Sequence, residues 1–217
     1  MTQQGFLRAR RPEHKRQRRE AILDAARELA MRDGVRAVSL GGVAAAAGLA
    51  KSNVGRYFGT REEIYLELAA EAWQDWGDEV GERLRDAGDV EDIVATLTET
   101  LAARPLMCDL LGNISTSLEH NVSVESARSC KRVVLRVIAD LAARVAAAPS
   151  GLTESEGFEL VGMVTMTAGL LYPVSNPPPV IRELYAQDPA MAAACPPFLP
   201  TLKRMVTAVA LGLPELR

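Results

Sequence analysis

Residues 39–58 have the sequence SLGGVAAAAGLAKSNVGRYF, and this stretch decides the fold. Ser39 can cap a short helix, and Gly48 then allows a tight turn before a second short helix over residues 50–58. Apolar residues at suitable spacing would give the two helices a small shared core: Val43, Ala47, Leu49 and Val54. The pattern predicts a helix-turn-helix.

The second helix of this predicted pair exposes side chains that can bind DNA. Each can hydrogen-bond a base edge or a phosphate, and none is acidic: Lys51, Ser52, Asn53 and Arg56. A helix with such a face fits the major groove. Short hairpins with Ala-Gly turns also occur in all-α proteins where they only pack, so a purely structural role is the alternative.

Charge is distributed unevenly along the 217 residues. Residues 1–61 carry thirteen Lys/Arg and five Asp/Glu, a net charge of +8, whereas residues 62–217 carry twelve and twenty-three, a net charge of −11. This asymmetry indicates that one end of the chain meets a polyanion. We expect residues 1–17 to form a flexible basic arm that lies along DNA or its minor groove, with a solvated tail as the alternative.

Cysteine usage and hydropathy favour a cytoplasmic protein. The three cysteines are scattered and odd in number, which is typical of a reducing compartment rather than a disulfide framework. The longest apolar run, residues 161–174, is too short for a membrane span, and no apolar region follows the basic N-terminus as in a signal peptide. We therefore expect no membrane segment.

Helical periodicity extends over most of the chain, and no run alternates between apolar and polar residues as a strand does. The sequence therefore predicts an all-α protein. The expected helices cover residues 12–32, 39–47, 50–58, 60–86, 89–104, 105–119, 123–148, 153–172, 180–187 and 199–212.

Residues 18–66 resemble the N-terminal domain of the tetracycline-repressor (TetR) family of transcriptional regulators. The matching features are Arg19-x-x-Ile22-Leu23-x-Ala25-Ala26, Gly34-Val35, Ser39-Leu-x-x-Val43-Ala44, Ala47-Gly48-Leu49-Ala50-Lys51 and Arg56-Tyr57-Phe58-x-Thr60-Arg61-Glu62-x-Ile64. The resemblance implies a dimer of all-α subunits. Each subunit would have an N-terminal three-helix DNA-binding domain with the helix-turn-helix and a C-terminal helical bundle for ligand binding and dimerisation.

The resemblance also implies a role for each residue of the DNA-binding surface. Phosphate contacts are expected from Ser39, Lys51, Tyr57 and Arg61, and base contacts from Ser52, Asn53 and Arg56. Two positions depart from the family pattern. Gly55 replaces the usual tyrosine and weakens the recognition helix, while Arg61 replaces a lysine and keeps its charge.

The acidic remainder contains no catalytic set. His120 has no metal-ligand spacing to the cysteines, and neither a phosphate-binding loop nor a Gly-x-Ser-x-Gly motif is present. We therefore expect no enzyme activity, no cofactor and no metal.

Large apolar side chains recur in the helices of this remainder. Most belong to a core, but some are expected to line a ligand cavity, because such cavities are mostly apolar with a few polar groups. The candidates are Trp73, Trp76, Met107, Leu110, Leu111, Asn113, Ile114, Phe158, Met163, Met166 and Tyr172.

Two helices are candidates for a dimer interface. Residues 153–172 carry Phe158, Val161, Gly162, Thr165, Ala168 and Gly169, and the last helix carries Leu202, Met205, Val206, Val209 and Leu213. By resemblance these helices form a four-helix bundle across a two-fold axis. Such a homodimer predicts a palindromic operator.

Together these features predict three regions: the basic arm (1–17), the DNA-binding domain (18–60) and the ligand-binding and dimerisation domain (61–217). The expected function is that of a ligand-responsive transcriptional repressor, which binds double-stranded operator DNA and is released by a small apolar or amphipathic effector. The alternative is an all-α small-molecule-binding protein, or an adaptor, that does not bind DNA.

Overall fold

The computed structural model describes the backbone of residues 4–217 and the side chains from residue 13 onward. Over this range the regular structure is entirely helical, which confirms the predicted all-α class. The helices are α1 (Gln4–Asp33), α2 (Leu40–Ala46), α3 (Lys51–Val54), α4 (Arg61–Arg83), α5 (Val90–Ala102), α6 (Pro105–Asn113), α7 (Val124–Ala147), α8 (Glu154–Ser175), α9 (Pro179–Gln187), α10 (Pro189–Ala192) and α11 (Phe198–Gly212). Short 3₁₀ turns cover Val35–Ala37, Leu84–Asp86 and Leu213–Leu216, and a π-helical turn covers Ile114–Leu118.

Helix α1 begins earlier than the sequence predicted. It starts at Gln4 rather than near residue 12, so the prediction of a flexible arm does not hold for residues 4–17. Arginine, glutamate and glutamine favour helix, and Arg16 pairs with Glu13 at 2.8 Å and with Glu20 at 3.7 Å. Residues 1–3 and the side chains of the arginines at 8, 10 and 11 lie outside the described part of the chain.

Side-chain oxygens cap the starts of several helices. The hydroxyl of Thr153 accepts a hydrogen bond from the Glu156 amide, and the Glu156 carboxylate accepts one from the Thr153 amide, so a complete capping box starts α8. At α4 only half of such a box forms. Thr60 accepts from the amide of Glu63, but the Glu63 carboxylate turns to the amide of Gly59 instead.

Two hydrophobic cores share helix α4. The N-terminal core includes Ile22, Val43, Val54, Phe58 and Ile64, and the C-terminal core includes Trp73, Trp76, Leu97, Leu141 and Leu160. The division between them falls within α4, between Ala69 and Trp73, whereas the sequence-based boundary was placed at residue 60. A single continuous helix therefore belongs to both cores.

Helix α8 is the central helix of the C-terminal core. It crosses α6 so closely that a Cβ atom on Gly112 would lie 2.6 Å from the carbonyl oxygen of Gly169. By length and composition α8 could cross a membrane, and 39% of its most apolar window is buried inside the protein. Six of the residues predicted to face a second subunit are instead buried within the subunit: Val161, Thr165, Ala168 and Gly169 on α8, and Leu202 and Val206 on α11.

Candidate nucleic-acid interface

Helices α2 and α3 form the predicted helix-turn-helix. Gly48 has a φ of 65°, in the left-handed region that favours glycine, and the amide of Leu49 closes the turn on the carbonyl of Ala44 at 2.8 Å. Val43 and Val54 are fully buried between the helices. The local sequence alone accounts for this geometry.

The exposed surface of this unit carries most of the predicted DNA-contacting residues. Lys51, Ser52, Asn53 and Arg56 are all exposed, and Tyr57 is half-buried. Ser39 is exposed at the start of α2, where its hydroxyl accepts a hydrogen bond from the Gly42 amide at 3.1 Å. That hydroxyl can still donate its proton to a phosphate.

Helix α3 is shorter than predicted, and Gly55 marks its end. Regular α-helix covers Lys51–Val54 only, after which residues 55–57 continue as a turn. The Gly55 amide lies 3.4 Å from the Lys51 carbonyl, and Arg56 bonds to Asn53 three residues back. Because glycine weakens a helix, the departure of Gly55 from the family pattern has a visible structural effect.

Arg61 makes contacts within the protein that its predicted role did not include. Its guanidinium donates to the carbonyls of Val35 and Val38 and pairs with Glu62, and it lies over the Tyr65 ring at 4.9 Å. The side chain is 15% exposed. Arg61 therefore holds the connector between α1 and α2 in place, and its contact with a phosphate stays a prediction.

Arg19 has a structural role that the sequence reasoning missed. Its guanidinium lies 4.2 Å from the centre of the Phe58 ring, donates to the carbonyl of Tyr57 at 3.0 Å and pairs with Glu67. The partners of Arg19 lie 38 to 48 residues away along the chain, so no local sequence pattern could predict these contacts.

Glu63 connects the end of the helix-turn-helix to the start of α7. Its carboxylate accepts from the amide of Gly59 at 2.8 Å, the amide of Ser123 at 3.1 Å and the hydroxyl of Ser126 at 2.9 Å. Hydrogen bonding from Ser123 lowers the pKa of Glu63 most, burial partly opposes it, and the bonds from Gly59 and Ser126 help to bring it to about 2. The carboxylate is therefore ionised at neutral pH.

The residues predicted to line an effector cavity divide into two groups. Eight lie in or against the cores: Trp73, Trp76, Met107, Leu110, Leu111, Asn113, Ile114 and Tyr172. The other three, Phe158, Met163 and Met166, are exposed on the outer face of α8, so they do not line an internal cavity of the subunit. Hydrophobicity alone could not separate these groups, because apolar side chains suit a core and a subunit interface equally.

The aromatic residues at the centre of the first group have unequal hydrogen bonding. Trp73 and Trp76 pack edge to face with ring centres 5.6 Å apart, and the indole N–H of Trp76 donates to Thr100 at 2.9 Å. Trp73 is 3% exposed, and its N–H has no partner among the described residues. Tyr172 packs against Phe198, also edge to face at 5.6 Å.

Two cavities lie beside these elements. A cleft of about 310 Å³ lies between the helix-turn-helix and α7, with Arg19, Phe58 and Cys130 among its walls. An apolar groove of about 260 Å³ lies between α8 and α11, with Met163 and Met205 among its walls.

Burial raises the pKa of the Cys130 thiol, which disfavours the reactive thiolate. Across the described residues no cluster of His, Cys, Asp or Glu is arranged to hold a metal ion.

Two family models match the chain in succession. The model described as "Bacterial regulatory proteins, tetR family" matches residues 22–68, and the one described as "Tetracyclin repressor-like, C-terminal domain" matches residues 70–216. No match was found among curated proteins.

Solved structures of regulators share the fold at low sequence identity. FadR, a fatty acid degradation regulator from Bacillus halodurans, is 18% identical, with 89% of this chain and 97% of that chain covered and a TM-score of 0.55. FadR from Thermus thermophilus in complex with lauroyl-CoA is 17% identical, with coverage of 89% and 93% and a TM-score of 0.55. FadR from Bacillus subtilis in complex with stearoyl-CoA is 14% identical, with coverage of 88% and 96% and a TM-score of 0.56.

The two family models together cover nearly the whole described chain. The first falls on the helix-turn-helix domain and the second on the helical C-terminal domain. This non-enzymatic, DNA-binding protein belongs to the TetR family of transcriptional regulators.

Proposed function

We propose that the protein is a repressor that binds a palindromic operator as a homodimer and is released by a small amphipathic effector. One observation carries the DNA-binding part of this proposal. Helix α3 exposes Lys51, Ser52 and Asn53 while Val54 anchors it to the N-terminal core. Such a helix can enter the major groove with donors and acceptors facing the bases.

The exposed face of α8 and α11 supports the homodimer. Met166 and Leu170 on α8 are 60% and 74% exposed, and Met205 and Leu211 on α11 are also exposed. Phe158, assigned from sequence to the effector cavity, is exposed on the same helix. Exposed large apolar side chains are typical of a protein interface, and a two-fold dimer would bury the same face of both subunits.

Chemistry in the C-terminal core supports an amphipathic effector that carries a hydrogen-bond acceptor. A buried N–H without a partner is costly, and an oxygen of the effector placed beside Trp73 would remove that cost. The surrounding core is apolar, which suits an acyl chain or another hydrocarbon. The acyl-CoA complexes of the structurally similar FadR proteins make long-chain acyl-CoA thioesters the first class to test.

A population shift would link effector and DNA. The effector would bind more tightly to a subunit arrangement in which the two recognition helices are wrongly spaced, so operator affinity would fall. Helix α4 belongs to both cores and connects the Trp73 region to the DNA-binding domain. We expect this repressor to act in the cytoplasm, where its DNA lies.

The decisive experiment is selection of duplexes from a random DNA pool by the purified full-length protein, followed by footprinting of the selected sites. We expect a palindromic site whose half-sites lie about one helical turn apart, bound with strong salt dependence. Lauroyl-CoA and stearoyl-CoA are then added to the complex, and release is measured by fluorescence anisotropy. Binding to no duplex even in dilute buffer would favour a small-molecule-binding protein or an adaptor instead.

A further inference from the structure

The connector between α1 and α2 is held by a residue of the C-terminal domain. Helix α1 ends at Asp33, Gly34 has a φ of 83°, and Val35 begins the 3₁₀ turn that leads to the helix-turn-helix. The backbone N–H of Val35 donates to a carboxylate oxygen of Asp109 at 2.7 Å. Asp109 lies on α6, 74 residues further along the chain.

This bond gives the Val35 amide an acceptor that helix α1 does not supply. The Gly34 amide already closes α1 on the carbonyl of Ala30 at 2.8 Å, and the Val35 residue is fully buried. Its N–H therefore needs an acceptor from elsewhere in the protein. A carboxylate is a stronger acceptor for a backbone N–H than a neutral oxygen.

The second oxygen of the same carboxylate fixes its orientation. It accepts a hydrogen bond from the side-chain amide of Asn113 at 3.0 Å, and that amide also donates to the Asp109 carbonyl at 2.8 Å. Asn113 is buried at the end of α6 and immediately precedes the π-helical turn Ile114–Leu118. Asp109 is thus locked to the backbone of its own helix and follows any movement of α6.

The opposite side of the connector is held by α4. Arg61 donates to the carbonyl of Val35 and to that of Val38, so the peptide groups of this turn are bound from two helices at once. Tyr65 lies near both charged groups. Burial raises its pKa to about 12, Arg61 opposes that shift, and Asp109 adds to it. The position of the turn therefore depends on α6 and α4 together.

We propose that Asp109 is the positioning residue through which helix α6 sets the orientation of the helix-turn-helix for DNA binding. The inference rests on the proposed function and adds to it a specific point of control. Displacement of α6 withdraws the acceptor from Val35 and frees the connector. The DNA-binding unit then has to be ordered again when it binds an operator, and operator affinity falls.

The test compares Asp109→Ala and Asp109→Asn with Asp140→Asn, which alters an exposed carboxylate of α7. Operator affinity is measured by anisotropy on the selected duplex, and amide exchange is measured by NMR on the folded full-length protein. We expect Asp109→Ala to weaken operator binding about tenfold and to speed exchange of the Val35 amide at least tenfold. Asn can keep only one of the two bonds, so Asp109→Asn should give intermediate values.

The location of the change separates positioning from general destabilisation. Exchange should accelerate over residues 34–38 and stay unchanged in the core of α8, whereas a loss of stability would accelerate both. The inference is overturned if operator affinity and Val35 exchange in both Asp109 variants stay within twofold of wild type. If the wild-type protein binds no duplex, the proposed function fails, and Val35 exchange still shows separately whether Asp109 holds the connector.

Discussion

The guanidinium of Arg19 lies 4.2 Å from the centre of the Phe58 ring, and this contact joins the first helix to the end of the recognition unit. The same guanidinium donates to the carbonyl of Tyr57 at 3.0 Å, where α3 has already ended and the backbone would otherwise lack a partner. A basic residue near a DNA-binding surface can therefore act on the protein rather than on the DNA. Arg61 shows the same behaviour on the other side of the domain.

Replacement of Arg19 by Ala should lower the free energy of unfolding by about 1–2 kcal/mol. Most of that loss comes from the contact with Phe58 and the bond to the Tyr57 carbonyl, because the ion pair with Glu67 is partly exposed and contributes little. Urea denaturation measures the change. Arg18→Ala, at the exposed neighbouring position, should have no effect, and equal losses in the two variants would argue against this role.

Arg56 and Lys51 should differ in how they affect operator recognition. Arg56→Ala should relax the preference at one base pair by roughly 1–3 kcal/mol, because a guanidinium reads the guanine edge. Lys51→Ala should weaken binding to all duplexes alike and make it less dependent on salt, since a phosphate contact carries no sequence information. Selection from random DNA with each variant measures both effects, and identical profiles would contradict the assignment.

Local signals made the helix-turn-helix predictable. Gly48, the Ser39 cap and the apolar spacing of Val43 and Val54 all act within twenty residues, so sequence determines their geometry directly. The contacts of Arg19 and Arg61 were not predictable, because their acceptors are backbone carbonyls brought close only by the tertiary fold. The same holds for Asp109, whose partner is a backbone amide 74 residues away.

The sequence predicted a helical core in the C-terminal domain, but it could not show which side of each helix faces that core. Helix α8 is apolar on most of its surface, so residue type could not show which side faces the subunit core. Thr165 and Ala168 are buried, while Met163 and Met166 are exposed. The small residues are inside because α8 packs closely on α6 at Gly169, where larger side chains would collide.

Gly55→Ala should stabilise the protein by about 0.5–1 kcal/mol and lengthen the recognition helix. Gly55 has an ordinary helical φ of −58°, and an added Cβ would lie 3.6 Å from the Ser52 carbonyl oxygen, an ordinary contact. Thermal unfolding measures the gain. Gly48→Ala is the matched control and should destabilise, since its φ of 65° disfavours any side chain even though the space around it is open. Stabilisation by both changes would contradict the role given to backbone conformation.

Glu63→Gln should make the protein less stable at neutral pH and less sensitive to acid. The folded-state pKa of Glu63 is about 2, well below its ordinary value of 4.5, so its contribution is complete above about pH 4.5 and is lost as pH falls towards 2. The wild type should therefore lose about 1 kcal/mol more than the variant across this window. The full shift would correspond to roughly 3 kcal/mol, but partial solvent exposure reduces it.

Urea denaturation at a series of pH values between 5 and 2 measures this difference. Glu125→Gln is the control, because Glu125 is exposed and, among the side chains that the structure describes, pairs only with Arg128 one helical turn away. Its pH profile should follow that of the wild type. If the Glu63 variant also keeps the wild-type slope, the bonds from Gly59, Ser123 and Ser126 do not stabilise the ionised carboxylate in solution.

Met166→Glu combined with Leu170→Glu should convert the proposed dimer into monomers. Both side chains are largely exposed on the subunit, so a carboxylate there costs the isolated chain little, whereas in a two-fold interface like charges would be buried together. Sedimentation velocity measures the oligomeric state, and operator affinity should fall with it because one subunit reaches only one half-site. Leu135→Glu, on the exposed surface of α7 at 55% exposure, should leave both unchanged. A double variant that remains a dimer would place the interface on another surface of the subunit.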